Sequence, residues 1–311
     1  MSVVVTGAAG YVGGRLVRHL QDEGEVVVPT VRRPVPWLPG AHPVDLVGGD
    51  LGGLVGVLEG HDAVVHLAGA SEVRAAAEPD AALAETVVAA RRVAEAAVRA
   101  GVSRLVVLST VHVYGGVTDG GVVHEGVVPA PRQPYAIARL AGEHLAFGAG
   151  PDHVVALRLT NAVGPPVDVR VDRWTLVANV LCAQAAAGQP LVLRSSGRDG
   201  RDFIDLGDAC RAIGAAATRA VPAGTYNLGS GTTTRVLDLA HLVADAAEAE
   251  LGWRPPVEAP AHTGPEPPGF RVDVSHLAVV APAPGSDLRP PLAATIRAVV
   301  AAGRPPGRDA T

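Results

Sequence analysis

The stretch VVVTGAAGYVGGRLVRHL, residues 3–20, places a run of valines directly before a group of glycines and a segment of helical periodicity. Glycine permits a tight turn and lets backbone N–H groups approach a phosphate closely. With a strand before it and a helix after it, such a turn holds a dinucleotide, because the pyrophosphate then lies at the helix N-terminus. The cofactor contacts predicted here are Gly7, Gly10, Tyr11, Val12 and Gly13.

Short valine-rich segments alternate with longer segments of helical period over the first half of the chain. Near-continuous apolar strands separated by helices indicate a parallel sheet that is covered on both faces. Strands are predicted at residues 2–6, 25–31, 42–47, 62–67, 104–109 and 153–159, and the clearest helix at residues 79–101.

The pattern changes after Leu159, where prolines become frequent and a helix is predicted around residues 172–187. We predict an α/β fold, a Rossmann-type doubly wound parallel sheet with a smaller C-terminal α/β substrate-binding cap. The predicted division is a cofactor-binding Rossmann domain of residues 1–160 plus roughly 201–230, and a cap of residues 161–200 and 231–311.

Composition excludes several classes of function. The 311 residues are 48% hydrophobic with a formal net charge of -5 and no basic run, so a large core is expected and nucleic acid is not an expected partner. Apolar stretches fall far short of the ~18 residues of a membrane span, so we expect a cytoplasmic protein with no membrane partner. Cys182 and Cys210 lack metal-ligand spacing, which predicts buried thiols and no metal site.

The second predicted strand ends in TVRRP, residues 30–34. An NAD enzyme places an acid here to accept the ribose 2′-hydroxyl, whereas arginine holds a 2′-phosphate. Arg32 and Arg33 therefore predict NADP(H), although two solvated surface arginines would give the same pattern. Further predicted cofactor contacts follow the third and fourth strands: Asp50, Leu51, Leu67, Ala68 and Gly69.

The segment QPYAIARLAGE, residues 133–143, carries the predicted chemistry. A ketone exchanges hydride only if a proton donor or acceptor matches its oxygen. Tyr135 can serve if a cation stabilises its phenolate, and Arg139 lies four residues further on the same helix face. Thr110, at the end of the fifth strand, can orient the same oxygen. Thr110, Tyr135 and Arg139 are the predicted catalytic residues, and the latter two are also predicted to contact the cofactor.

With these segments the chain resembles the extended short-chain dehydrogenases/reductases, which include nucleotide-sugar epimerases, dehydratases and ketoreductases. The resemblance covers nearly the whole chain through TGAAGYVG, STVHVYG, PYAIARLAGE, LRLTNAVGP, GRDFIDLGDACRA and TYNLGSGTTTRVLDL. It implies that Thr110, Tyr135 and Arg139 stand for the family's catalytic hydroxyl, tyrosine and lysine. It also implies that Asn161 and Arg201 face the diphosphate end of a nucleotide sugar, and that a homodimer could form through helices at residues 79–101 and 133–149.

Departures from the family pattern narrow the function. Dehydratases of the family carry an acid pair after the catalytic hydroxyl, whereas this chain has Val111 and His112, so sugar dehydration is not expected. His112 could act as an acid or base, or pack as a structural histidine. Late in the family pattern, one segment supplies an arginine to the diphosphate; in this chain that segment reads EPPGF, residues 266–270, without arginine. A ketone that carries no diphosphate is therefore an alternative substrate. The predicted substrate contacts are Val111, His112, Asn161, Trp174 and Arg201.

Arg139 stands where the family has lysine, in a chain whose 26 basic residues are all arginine. Arginine keeps the positive charge but practically never deprotonates, so a proton relay through it is not expected. The leading hypothesis is an NADPH-dependent ketoreductase of specialised metabolism, acting on a polyketide or aromatic ketone or on a keto-deoxysugar. The alternatives are a nucleotide-sugar 4-epimerase with tightly bound NAD and a non-catalytic dinucleotide-binding protein.

Overall fold

The computed structural model describes residues 1–115, 121–265 and 271–303. Its strands are β1 (Ser2–Thr6), β2 (Val26–Val31), β3 (His42–Pro43), β4 (Ala63–His66), β5 (Arg104–Thr110), β6 (Val122–Val123), β7 (Val154–Leu159), β8 (Asn161–Val163), β9 (Leu191–Val192), β10 (Gly200–Asp205), β11 (Gly224–Leu228), β12 (Thr233–Arg235), β13 (Val257–Glu258) and β14 (Arg271–Val272). Its α-helices are α1 (Tyr11–Asp22), α2 (Leu51–Leu58), α3 (Glu72–Ala77), α4 (Pro79–Leu83), α5 (Ala89–Arg99), α6 (Pro134–Ala149), α7 (Val177–Ala186), α8 (Leu206–Thr218), α9 (Val236–Leu251) and α10 (Arg289–Ala301).

A seven-stranded sheet in the described ranges has the strand order β3-β2-β1-β4-β5-β7-β11, and its strand pairs are all parallel. Strand β1 lies between β2 and β4, with Val3, Val4 and Val5 fully buried. From β1 the chain adds β2 and β3 on one side, and then β4, β5, β7 and β11 on the other side, so the strand order reverses between β1 and β4. Doubly wound sheets bind ligands at such a point, outside the carboxyl ends of the strands. The predicted Rossmann-type fold is confirmed.

Helices cover both faces of the sheet. Helices α1 and α8 pack together on one face, where Leu16 and Ile213 are buried. Helices α2, α5 and α6 cover the opposite face, where Val93 is buried. The neighbouring residues Val64 and Val65 of β4 belong to opposite cores, because successive side chains of a strand point to opposite faces.

A smaller layer lies beside the sheet. Helices α7, α9 and α10 pack on one another around a core that includes Leu181, Phe203 and Leu239. Strand β10 pairs with β8 and β12 and joins this layer to the sheet. Helix α8 and strand β11 belong to the sheet layer, and the domain boundaries expected from the sequence stay a prediction.

Three predicted elements differ from the observed ones by more than one residue at an end: the third strand, the helix around residues 172–187 and the helix at residues 79–101. The third strand stops at Pro43, because the Asp45 carboxylate accepts hydrogen bonds from the Val47 and Gly48 N–H groups (2.9 and 3.0 Å) and turns the chain. The helix predicted around residues 172–187 begins only at Val177, after a loop of turns.

The helix predicted at residues 79–101 is divided in the structure. A π-helical segment, Ala84–Val88, separates α4 from α5. Gly101 follows the end of α5 with a φ of +69°, as a helix-terminating glycine should. The segment of residues 266–270, including Pro267, Pro268, Gly269 and Phe270, lies outside the described residues. Within the described ranges, none of the helices is long and apolar enough to cross a membrane.

Candidate functional site

Two adjoining cavities open at the carboxyl ends of the central strands. The larger, called here the main cleft, has a volume of about 470 Å³ and lies between the turn after β1, the ends of β4 and β5, the start of α6 and the loop before α7. The smaller, called the side cavity, has a volume of about 270 Å³ and extends towards the ends of β2 and β3. Gly7, Gly10, Leu67 and Gly69 line both cavities.

Most of the residues predicted from the sequence face these cavities. The main cleft is lined by Gly7, Gly10, Tyr11, Val12, Gly13, Leu67, Gly69, Thr110, His112, Tyr135, Arg139 and Asn161. The side cavity adds Arg32 and Ala68. Six others, all within the described ranges, line neither cavity: Arg33, Asp50, Leu51, Val111, Trp174 and Arg201.

The turn after β1 fits the pyrophosphate of a dinucleotide. Gly7 has a φ of +72°, and a Cβ placed on it would lie 2.7 Å from the backbone nitrogen of Ala68, so a side chain there is excluded. Gly10 is the N-cap residue of α1, and no side chain in the described part of the chain caps the N–H groups of the first helical turn. Free N–H groups and the helix dipole favour an anion at this position.

Tyr11 ties this turn to the loop that leads into the cap. Its side chain is buried, and its hydroxyl donates a hydrogen bond to the carbonyl oxygen of Gly164 at 2.7 Å. Burial raises the pKa of the Tyr11 phenol well above its usual range. Tyr11 therefore stays neutral and shapes the wall of the main cleft.

The predicted catalytic residues come together in the main cleft. Thr110 is the last residue of β5, and Tyr135 lies in the first turn of α6. The Arg139 guanidinium carbon lies 5.5 Å from the centre of the Tyr135 ring. The spacing of four residues on a helix thus places the positive charge beside the phenol, as expected.

The Arg139 side chain is held against the ends of two strands. Its Nη1 donates to the carbonyl oxygens of Leu108 (3.1 Å) and Ala68 (3.4 Å). Gly69 has a φ of +152°, which strains any residue with a side chain, and a Cβ there would lie 3.0 Å from the guanidinium carbon of Arg139. The buried Nε of Arg139 has no hydrogen-bond partner among the described residues. A bound ligand with an oxygen atom at this place would satisfy that donor.

Buried polar groups support the site from below. The Glu143 carboxylate, one helical turn beyond Arg139, accepts hydrogen bonds from Ser109 and from Arg158, whose Nη2 lies at 2.7 Å. Ser109 precedes Thr110 on β5, so its hydrogen bond to Glu143 fixes α6 against the strand that carries the Thr110 hydroxyl, and the ion pair with Arg158 fixes α6 against β7.

His66, at the end of β4, is buried and shares a hydrogen bond of 2.7 Å between its Nδ1 and the Thr6 hydroxyl. Burial, together with the positive charge of Arg139, lowers the pKa of His66 to about 3. A neutral imidazole therefore lies beneath the cation of the site at physiological pH.

The aspartate that lines the side cavity is not the predicted Asp50. The carboxylate of Asp50 caps helix α2 by accepting a hydrogen bond from the Gly53 N–H at 2.8 Å, and Leu51 begins that helix. Asp45 and Leu46, which follow Val44 just beyond the end of β3, line the cavity instead. Asp45-Leu46 and Asp50-Leu51 are neighbouring Asp-Leu pairs in the sequence. The strand predicted at residues 42–47 includes the first pair and ends before the second, so the sequence pattern favoured Asp50.

The far end of the main cleft is lined by charged groups. Arg173 and Glu72 both line it, and the Arg173 Nη1 lies 3.0 Å from the Glu72 Oε2. Desolvation lowers the pKa of His112, and the positive charge of Arg201 lowers it as well. The negative charge of Glu72 acts in the opposite direction and raises this pKa. Asn161 also lines the cleft, and its amide nitrogen donates to the backbone oxygen of Asp202 at 2.8 Å.

The remaining substrate candidates have structural partners. The Trp174 indole donates to the carbonyl oxygen of Val169 at 2.8 Å. Val111 packs on the apolar group formed by Val113, Tyr114 and Val123. Arg201 lies on β10 opposite Thr234. Residues of the cavities that were missed from the sequence include Trp37, Asp45, Glu72, Glu85, Arg170 and Arg173.

The arrangement is suited to hydrogen transfer at a carbonyl group. Thr110 and Tyr135 can donate hydrogen bonds to a carbonyl oxygen in the main cleft, and the Arg139 charge stabilises negative charge on the phenol oxygen. Together with the glycine-rich turn, these groups define a dinucleotide-dependent enzyme of the Rossmann type.

The model of the NAD dependent epimerase/dehydratase family matches residues 3–229 of the chain. The protein belongs to this family, and its membership of the extended short-chain dehydrogenases/reductases is confirmed.

Individual relatives are similar over different shares of the chain. The dTDP-6-deoxy-L-talose 4-dehydrogenase (NAD(P)(+)) of Kitasatospora kifunensis is 31% identical over 287 residues, or 88% of this chain and 87% of the relative. The dTDP-glucose 4,6-dehydratase of Streptomyces niveus is 32% identical over 201 residues, or 63% of this chain and 57% of the relative. The structure of MoeE5 in complex with UDP-glucuronic acid and NAD is 29% identical, with a TM-score of 0.81 over 97% of this chain and 100% of that one.

These relatives define the function at a coarse level. The protein is a member of a family of sugar-modifying, NAD(P)-dependent reductases, dehydratases and epimerases, and a nicotinamide dinucleotide is the cofactor that this similarity supports.

Proposed function

We propose that the protein is an NADPH-dependent ketoreductase that reduces the carbonyl group of a nucleotide-linked keto-deoxysugar. The observation that carries the proposal is that Thr110, Tyr135 and Arg139 line one cleft together with the glycine-rich turn. Tyr135 supplies the proton to the carbonyl oxygen, Thr110 orients that oxygen, and Arg139 stabilises the phenolate that remains. The reduced nicotinamide supplies the hydride when it is bound.

The walls of the main cleft support a polar substrate over an aromatic ketone. Glu72, Arg170, Asp172 and Arg173 line it, and these charged groups can bind hydroxyl and phosphate oxygens. The similarity to a dTDP-6-deoxy-L-talose 4-dehydrogenase supports the same class of substrate. Dehydration stays unexpected, because Val111 and His112 stand where the family's dehydratases have acids.

NADPH is the proposed reductant because Arg32 lines the side cavity with its side chain 63% exposed. A mobile guanidinium at this place can move to a 2′-phosphate and bind two of its oxygens. Arg33 lines neither cavity, so the proposal rests on Arg32.

The test is reduction of dTDP- and GDP-linked 4-keto-6-deoxyhexoses by NADPH or NADH, followed by the loss of the reduced-nicotinamide absorbance. We expect oxidation that requires the sugar, and a fall of at least about a hundredfold in Tyr135→Phe, since general acid catalysis contributes about that much. Binding of both dinucleotides without turnover of any keto-sugar would refute the reductase and favour the non-catalytic alternative.

A nucleotide-sugar 4-epimerase is the second candidate. The overall similarity to MoeE5 in its complex with UDP-glucuronic acid and NAD favours it, and so does the Asp45 carboxylate in the side cavity, where a 2′-phosphate would be repelled. An epimerase would purify with NAD bound and would interconvert two nucleotide sugars without net consumption of cofactor. A reductase would purify without bound NAD and would consume the reduced cofactor as it converts the sugar.

A further inference from the structure

The π-helical segment between α4 and α5 presents an acid to the side cavity. Glu85 lies in this segment, Ala84–Val88, and Glu85 and Ala89 both line the cavity. The next residue, Thr86, is buried and accepts a hydrogen bond from the Ala70 N–H at 3.0 Å, which fixes the segment against the end of β4. Single π turns occur often at functional sites, where they redirect a side chain.

Glu85 pairs with two arginines at the edge of the side cavity. Its Oε1 lies 2.6 Å from the Nη1 of Arg32 and 3.0 Å from the Nη2 of Arg74. The Glu85 side chain is only 22% exposed, whereas the Arg32 side chain is 63% exposed. The acid is therefore the fixed partner, and Arg32 is the one that can move.

A second carboxylate lines the same cavity. Backbone N–H groups of Gly48 and Val47 hold the pKa of Asp45 below its usual range, so this group is ionised at neutral pH. Three charged side chains among the described residues line the side cavity, and these are Arg32, Asp45 and Glu85. The cavity wall thus carries one positive charge and two negative charges.

We propose that Glu85 determines the preference of this protein between NAD and NADP by holding the guanidinium of Arg32. The inference rests on the proposed binding of a nicotinamide dinucleotide. A ribose 2′-hydroxyl can donate to a carboxylate of this wall, so NAD leaves the Arg32–Glu85 pair intact. A 2′-phosphate can recruit Arg32 only if that pair opens, and it meets repulsion from Glu85 as well. Glu85 therefore lowers the affinity for NADP relative to NAD.

The experiment measures the dissociation constants of NADP⁺ and NAD⁺ by calorimetry for the wild type, for Glu85→Gln and for a matched control, Glu78→Gln. Glu78 pairs with the same Arg74 at 3.4 Å but does not line the side cavity. We expect Glu85→Gln to raise the affinity for NADP⁺ relative to NAD⁺ by about fivefold, the equivalent of one exposed ion pair. The ratio should not change in Glu78→Gln.

The outcomes separate the inference from the function on which it rests. An unchanged ratio in Glu85→Gln, with both dinucleotides binding to the wild type, would overturn the role of Glu85 alone. An equal change in Glu78→Gln would also overturn it, because net charge would then be the cause. Parallel weakening of both dinucleotides would indicate a structural role and count against the proposal. A wild type that binds neither dinucleotide would overturn the proposed function and this inference together.

Discussion

Replacing Arg139 with methionine removes the positive charge beside Tyr135 and keeps a long side chain. The guanidinium carbon lies 5.5 Å from the centre of the tyrosine ring. With the negative charge placed at the ring centre, two unit charges at this separation interact by about 3 kcal/mol at an effective dielectric constant of ~20. If the charge stabilises the phenolate that forms as the carbonyl takes its proton, its loss raises the barrier by that amount. The expected fall in turnover is then about a hundredfold, since ~1.4 kcal/mol corresponds to a factor of ten.

The assay is the rate of NADPH oxidation with saturating keto-sugar, and the substrate is the one identified by the test of the proposed function. Arg91→Met is the matched control, because Arg91 pairs with Glu95 on the exposed side of α5 and does not line either cavity. Arg139→Lys should keep most of the activity, because it restores a cation of the family type. Turnover of Arg139→Met within about threefold of the wild type would refute an electrostatic role for Arg139.

Two further predictions concern stability and are measured by urea unfolding. Burial holds the pKa of His66 at about 3, against ~6.5 in the unfolded chain, so below pH 6.5 the unfolded state takes up a proton that the folded state cannot. This group should therefore lower the free energy of unfolding by about 2 kcal/mol between pH 7.5 and pH 5, and a pH dependence that is the same in His66→Asn would contradict the assignment. Glu143→Ala leaves the buried Arg158 without its anion and should cost about 3–5 kcal/mol. The surface control Glu95→Ala should cost under about 1 kcal/mol, and equal losses in the two variants would argue against a buried ion pair.

Sequence reasoning placed site residues correctly in the cavities where their positions depend on neighbours along the chain. The turn at Gly7 and Gly10 follows from local backbone requirements, and the neighbourhood of Tyr135 and Arg139 follows from the period of one helix. Thr110 was located because it ends a strongly apolar strand. The roles of these residues in catalysis stay predictions that the proposed assays test.

Positions set by turns were harder to locate. Asp45-Leu46 and Asp50-Leu51 lie close together in the sequence. The Asp45 carboxylate accepts hydrogen bonds from the Val47 and Gly48 N–H groups, which ends the third strand early and leaves Asp45 in the side cavity. Among neighbours in the loop before α7, Trp174 bonds to the backbone while Arg173 lines the cleft. Such choices depend on the direction of each side chain in an irregular loop, which no periodic pattern encodes.

The sequence by itself determined the glycine-rich turn and the pairing of Tyr135 with Arg139, because each depends on residues within a few turns of one another. It also determined the class of the sheet, because apolar strands alternate with helical segments along the chain. Only the tertiary structure brought Glu85 to Arg32 and Glu72 to Arg173, across 53 and 101 residues of sequence. These pairs form where separate loops meet at the carboxyl ends of the strands. The packing of whole elements therefore decides which charged side chains line the main cleft and the side cavity.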